Sequence, residues 1–336
     1  MIESYYVETN DGLFFAVKGL EHPPDRTIAV LRYVPDPAGG NRKKGKKKYR
    51  RLYHFKDQEL LIKSIYPQYL AHDPIFQATL QSVPVSRIRR IYDPRIRIQQ
   101  LAQAAARSAV EEDAYAFVCL LQAKAQVPFS ALGITGSLLI GLHTPRSDLD
   151  VVAFGAKNCL KVYQSLRRLL DDETGSDLRK LDSQGLKELY AERIKDTHMD
   201  FRKFLNMEKQ KVNQGTFRNR PYFIRFIKRP HEVNMIYGQR RYIPLGSAAV
   251  EATIADDRES IFTPCRYQLS GVRILQGPKQ ISPKEIVSFR GRFCEQARTG
   301  DSIMAAGTLE RIQSATGEAW HRLLLGNDAK DTMVRI

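Results

Sequence analysis

The chain has 336 residues, 43% of them hydrophobic and 27% charged, which is enough for two or three domains and a substantial core. Fifty-three Lys and Arg against 37 Asp and Glu give a formal net charge of +16 and a pI near 9.7. That balance favours a polyanionic partner, most simply nucleic acid, and says nothing about fold.

Residues 1–100 are predicted to be strand-rich. An Asp11-Gly12 turn between β-formers over residues 7–17 predicts a hairpin, and residues 26–34 a further strand ended by Pro35 and Pro37. A loop is expected over residues 36–48, opening onto a basic run at 42–51 that holds Arg42, Lys43, Lys44, Lys46, Lys47, Lys48, Arg50 and Arg51. Residues 60–70 and 75–80 read as short helices broken by Pro67 and Pro74. These first 100 residues carry 18 Lys and Arg against 10 Asp and Glu, half of the net charge.

From Leu101 the pattern turns helical. Residues 101–126 offer Leu101, Ala105, Val110, Tyr115, Val118 and Leu121 to a buried face, and Pro128 ends the run. Further helices are predicted at 158–170, 186–196 and 201–211, with strands at 148–155 and 222–228. From about Pro244 short β-segments recur at 248–254, 271–275, 285–293, 302–312 and 321–325, punctuated by glycines, as in a small barrel or sandwich. The expected division is a basic β-rich domain at 1–100, an α+β domain at 101–243 and a β-rich domain at 244–336.

Cys119, Cys159, Cys265 and Cys294 form no CxxC pair, which argues against a zinc ribbon or a disulfide framework and fits a reducing interior. The first residues show no basic stretch before an apolar core, and no apolar run approaches the ~20 residues that span a bilayer. A cytoplasmic protein without membrane association is expected.

One passage carries chemistry. From Gly133 the chain runs through Gly136-Ser137 and an apolar segment to Gly141, then to Ser147-Asp148-Leu149-Asp150 at the mouth of an apolar strand. Strand side chains alternate faces, so Asp148 and Asp150 point the same way. Two carboxylates that close repel unless a cation sits between them, and Mg²⁺ takes carboxylate and phosphate oxygens together. Gly136 admits close backbone approach, and the amides of the turn and the following helix attract an anion. An anion cradle facing a metal-binding carboxylate pair suits a nucleoside triphosphate.

In Gly136-Ser137, Gly141 and Ser147-Asp148-Leu149-Asp150 the sequence resembles the DNA polymerase β-type nucleotidyltransferase superfamily. Taken whole, it resembles uncharacterised predicted nucleotidyltransferases of archaea and some bacteria. The resemblance implies an α+β nucleotidyltransferase core with a mixed sheet, flanked here by β-rich N- and C-terminal domains. It also implies transfer of a nucleoside monophosphate from an NTP to a hydroxyl by a two-metal, in-line mechanism with Mg²⁺ or Mn²⁺. Asp148 and Asp150 would be catalytic and bind the metals, and Gly136, Ser137 and Asp148 would bind the nucleotide through its phosphates and metal. Members carry a third carboxylate on a later strand, but residues 222–228 hold Arg225 and no acid. Asp200 and Glu232 are the two candidates. Leu138, Leu139 and Ile140, where many members have polar residues, are expected to pack in the core.

The basic run, with Tyr49, Tyr53 and His54 close by, is a candidate for neutralising phosphates and stacking bases, against a plain reading as a solvated loop. A second basic zone, Lys209, Lys211, Arg218, Arg220, Arg225, Lys228 and Arg229, is interleaved with aromatics expected in the core. The seven histidines, His22, His54, His72, His143, His198, His231 and His321, show no zinc spacing, and His143 in the motif turn is a candidate for touching a phosphate, against the commoner reading as a surface-turn histidine. Nucleic acid, RNA in particular, is the expected acceptor. The alternatives are nucleotidylation of a protein or small molecule, and a catalytically inactive nucleic-acid-binding protein of the same fold.

Overall fold

The computed structural model describes residues 1–172, 177–195, 199–233 and 235–336. Those residues are mixed α and β, with three sheets and seven α-helices among them. They form two compact units, one of Met1–Ala71, Leu80–Lys180 and Val212–Met235, the other of His72–Thr79, Leu181–Lys211 and Ile236–Ile336. The segments expected as separate N-terminal and transferase domains therefore share one unit, and residues 181–211 group with the C-terminal strands.

In the first unit the Asp11-Gly12 turn joins antiparallel strands Tyr6–Thr9 and Phe14–Val17, as predicted, with Gly12 at φ 79°. Strand Arg26–Pro35 pairs with Phe14–Val17 and buries alternate side chains. The expected loop differs: Arg42–Lys44 and Lys47–Arg51 form a hairpin on Arg26–Pro35, turning at Gly45, whose φ is 58°. Alternation explains it, since Tyr49 is buried edge-on against Phe14 while Lys48 and Arg50 on either side face outward. Residues 78–84, predicted in part as helix, form a strand whose end pairs with the start of Arg26–Pro35. The helix predicted at 60–70 starts earlier, at Phe55–Ile65, and Pro67 follows its end.

The central sheet of this unit runs Leu178–Arg179, Gln214–Phe217, Arg220–Ile227, Leu149–Phe154, Leu132–Ile134, with Leu149–Phe154 and Arg220–Ile227 parallel. On one face Tyr222 and Phe226 meet Phe117 and Tyr163 of helices Ala109–Ala125 and Ala156–Asp171. On the other, Val152, Phe154 and Ile227 join the buried cluster of the N-terminal sheet, with Val7, Phe15 and Leu31. The predicted helix 101–126 is two helices, Pro94–Gln103 and Ala109–Ala125. A capping box between Ser108 and Glu111 restarts the helix, which leaves Ala105 exposed and puts Ala114 and Phe117 on the buried face beside Val110, Val118 and Leu121.

In the second unit strand Arg240–Asp256 pairs with both Cys265–Gln276 and Ser302–Ser314. Glu285–Ser288 pairs with Cys265–Gln276 and, in parallel, with Ala319–Leu325, which returns to Ser302–Ser314. These pairings close a five-stranded circuit, so of the two expected forms the barrel is found, with Val250, Tyr267, Ile286, Ile303 and Leu323 inside. Helices Ser183–Arg193 and Phe201–Glu208 belong to the same unit. Asp196, the predicted end of the first, and His198 lie outside the described residues. Among the described residues no helix is long and apolar enough to cross a membrane.

Candidate active site

The motif is built as a strand, a one-turn helix and a returning strand. Leu132–Ile134 leads into helix Gly136–Ile140, which ends at Gly141 in the left-handed conformation, φ 69°. Leu138, Leu139 and Ile140 are buried as expected, and Leu139, Ile140 and Leu142 pack with Tyr6, Phe14, Tyr33 and Tyr49 of the N-terminal sheet. The chain comes back through Ser147, whose hydroxyl accepts from Thr144 N at 2.9 Å, and Thr135 N donates to Asp150 O at 2.9 Å. The second basic zone supplies a brace: Arg220 donates to Pro145 O and Ser147 O and pairs with Asp113 at 3.0 Å.

Gly136 is glycine for two reasons. Its φ is 65°, and an ideal Cβ there would lie 2.1 Å from Asp150 Oδ2. The close approach that glycine permits is therefore that of the Asp150 carboxylate. The Ser137 hydroxyl is turned inward, 3.3 Å from Ser147 Oγ, and only 3% of the residue is exposed. Among the described residues no side chain caps the first turn of this helix, which leaves its leading amides as donors beside the motif.

Asp148 and Asp150 stand side by side and are half-buried. The Asp150 charge, followed by burial, pushes the Asp148 carboxyl up to about 6, against the lowering pull of Arg51 and Arg225. Asp150 has a partner that sequence did not anticipate in this role: Arg225 Nη1 lies 3.3 Å from Asp150 Oδ1. The parallel register explains it, because Asp150 sits opposite Phe223 and Val152 opposite Arg225, which puts Arg225 one pleat along the same face. Burial works against the Arg225 charge, but Asp150, Glu3 and Tyr6 outweigh it and hold the guanidinium more firmly protonated than usual. Glu3 also accepts from Lys18 Nζ and Gly19 N, at 2.8 Å each.

The basic run divides in two at this point. Arg42, 8% exposed, donates from Nη1 to Leu142 O, Thr144 Oγ1 and Ser147 Oγ at 3.4, 3.2 and 3.1 Å. Lys44 donates to Ile140 O at 2.6 Å and to Tyr92 Oη at 2.8 Å. Arg51 lies within electrostatic reach of Asp148 and Asp150 and over the Tyr53 ring. These three serve the motif. Lys43, Lys46, Lys47, Lys48 and Arg50 are exposed, Arg50 beside Asp36 at 3.3 Å. Alternation about Tyr49 was the available signal for this split. For Glu3 and Lys18 the sequence holds none.

The two candidates for a third carboxylate are both used as helix caps. Asp200 belongs to the second unit, where its Oδ1 accepts from Arg202 N and Lys203 N at 3.0 Å each, starting helix Phe201–Glu208. Glu232 accepts from Ala156 N at 3.1 and 3.0 Å and from Arg229 N at 2.7 Å, at the start of helix Ala156–Asp171. Ala156 follows the far end of the strand, roughly 20 Å along the chain from Asp150 at about 3.3 Å per residue. Among the described residues no group of three or more His, Cys, Asp or Glu side chains gathers as a metal cluster. His143 is half-buried, 3.9 Å from Glu111, and burial lowers its basicity.

Fold and site thus define an α+β protein with a paired-carboxylate centre ringed by guanidinium groups. The chain is 27% identical over 328 residues to an uncharacterised protein of Methanocaldococcus jannaschii, covering 96% of this chain and 94% of that one. No family model matches, and no solved structure matches.

Proposed function

We propose that the protein is a divalent-metal-dependent nucleotidyltransferase of the polymerase β type, moving a nucleoside monophosphate from an NTP to a hydroxyl acceptor, with RNA or another nucleic acid as the acceptor. The observation that carries this reading is Asp148 beside Asp150 at the strand mouth, one carboxyl pushed up to about 6 by the other, with Gly136 leaving no room for a side chain between them and the helix start. Two adjacent hard oxygen donors, one of them hydrogen-bonded by no other side chain among the described residues, suit Mg²⁺ or Mn²⁺ shared with phosphate oxygens. Bound there, the ion supplies charge neutralisation of the triphosphate and polarisation of the reacting phosphoryl group.

The chain's own groups supply the rest. The amides at Gly136 and Ser137 would donate to the phosphates, and the Arg42–Ser147–Ser137 network braces that turn. Arg51 and Arg225 hold fixed positive charge beside the two aspartates, where it would offset the negative charge of a triphosphate and its leaving pyrophosphate. Lys43, Lys46, Lys47, Lys48 and Arg50, with the exposed Tyr53 ring, form the surface offered to a polynucleotide. Binding without catalysis is a second reading, favoured by one observation: Arg225 occupies the strand from which a third carboxylate would come.

Incubation with each α-labelled NTP, Mg²⁺ or Mn²⁺ and total RNA tests the proposal. Label transferred to RNA by wild type and not by Asp148→Ala/Asp150→Ala supports it. Label in protein redirects the acceptor, and identical behaviour of the two proteins defeats the enzymatic reading.

A further inference from the structure

We propose, building on the metal–triphosphate reading of this site, that Arg225 is a built-in counter-ion that makes divalent-cation binding at Asp148 and Asp150 conditional on a triphosphate. The argument rests on which anions are within Arg225's reach. Its guanidinium takes Asp150 Oδ1 at 3.3 Å, and its side chain is 24% exposed. The other acids facing it are Asp148, the second member of the pair, and Glu3, whose two oxygens also accept from Lys18 Nζ and Gly19 N. The other titratable groups around it are Tyr6, a phenol that is neutral near pH 7, and the cations Lys18, Arg32 and Arg51.

A cation that takes both aspartates therefore displaces Arg225 from Asp150 and leaves its guanidinium with Glu3 alone, an acid it shares with Lys18 Nζ and Gly19 N, which is costly. A cation arriving with a triphosphate brings the replacement anion. Phosphate oxygens accept the planar guanidinium fork in a bidentate manner, and Arg51, close to the same two aspartates, makes a second such contact. Metal and triphosphate are thereby coupled through one side chain, and the coupling is reciprocal. The device also keeps the carboxylate pair partly neutralised between turnovers.

The test is Mn²⁺ retained with the full chain in equilibrium dialysis, with and without inorganic triphosphate, a probe that commits to no base, the free Mn²⁺ on each side being calculated after the share chelated by triphosphate in protein-free blanks. Wild type is expected to bind Mn²⁺ at least 10-fold more tightly with triphosphate than without. Arg225→Met should bind Mn²⁺ alone more tightly than wild type and lose most of that enhancement, while Arg225→Lys, which keeps the charge but not the fork, should keep weak Mn²⁺-alone binding and a reduced enhancement. Circular dichroism establishes that each variant is folded, and the wild-type comparison stands without them. Equal Mn²⁺ affinity with and without triphosphate in wild type, or unchanged Mn²⁺-alone affinity in folded Arg225→Met, overturns the proposal while leaving a metal site. Binding that is unaffected by Asp148→Ala/Asp150→Ala, or absent altogether, instead removes the site reading on which it rests.

Discussion

Replacing Gly136 by Ala separates two demands on that position. The first is conformational: at φ 65° a residue with a Cβ pays about 1–2 kcal/mol for the left-handed backbone. The second is steric. The new methyl would begin 2.1 Å from Asp150 Oδ2 and 2.9 Å from its Cγ, so the carboxylate must retreat by roughly 1 Å to reach an ordinary contact. The neighbours give little, because Asp150 is hemmed by Arg225 and Thr135 N holds its carbonyl. Overpacking of this kind adds about 1–3 kcal/mol, for a total of about 2–5 kcal/mol. Gly141 is the internal control: its φ is 69°, but an added Cβ meets nothing within 4 Å, so Gly141→Ala pays the backbone cost alone. Urea unfolding followed by circular dichroism should place Gly136→Ala about 1–3 kcal/mol below Gly141→Ala. In an Asp150→Ala background that gap should close. Equal destabilisation by the two substitutions, or a gap that persists without the Asp150 carboxylate, would refute the claim that Gly136 exists to admit it.

Three further outcomes follow from the same coordinates. Asp148 keeps its proton to about pH 6 in the folded chain and loses it near pH 3.9 when unfolded, so folded protein binds more protons in that window and stability falls as pH rises from about 4 to 6. At pH 8 without divalent ions, Asp148→Asn should therefore be about 1–3 kcal/mol more stable than wild type, a gain that vanishes below pH 4; a loss at pH 8 would contradict it. Arg42→Met strips three acceptors in the motif turn of their donor and should cost about 2–4 kcal/mol, whereas Lys46→Gln/Lys47→Gln/Lys48→Gln should leave unfolding within about 0.5 kcal/mol and flatten the salt dependence of RNA binding. Lys211, 1% exposed, holds Glu208 Oε1 at 2.7 Å, Arg292 O at 2.6 Å and Gln296 Oε1 at 2.9 Å, so Lys211→Met should lower thermal stability by about 3–5 kcal/mol, measured by calorimetry.

Much of the architecture was legible because it rests on local chemistry. The Asp11-Gly12 hairpin, the strand at the motif and the alternating strands of the barrel follow from turn residues and period-two burial. Errors fell where long-range pairing overrides local preference. Residues 78–84 are a strand because they have a partner in Arg26–Ile28, and 42–51 are a hairpin because Tyr49 finds Phe14. The Asp148–Asp150 juxtaposition was legible for the same local reason. The Arg225–Asp150 contact was not, although Arg225 was visible at the centre of its strand: only the parallel register says which of its neighbours it meets.

That distinction changes what the net charge of +16 means. A count over the sequence treats every cation as available to a polyanion, but several are engaged within the first unit: Arg42 and Lys44 on the carbonyls of the motif turn, Arg220 on Asp113, Arg225 on Asp150. Lys211 is engaged in the second. The cations exposed on the hairpin are Lys43, Lys46, Lys47, Lys48 and Arg50, the outward residues of the same run whose inward members build the site. One ten-residue stretch thus presents charge to solvent and braces the carboxylate motif, through nothing more than the two faces of a strand. Under the proposed function, a polynucleotide gripped by the outer residues would be gripped by the element that positions Arg42 and Arg51, and this shared element would couple acceptor binding to the geometry of the Asp148–Asp150 pair.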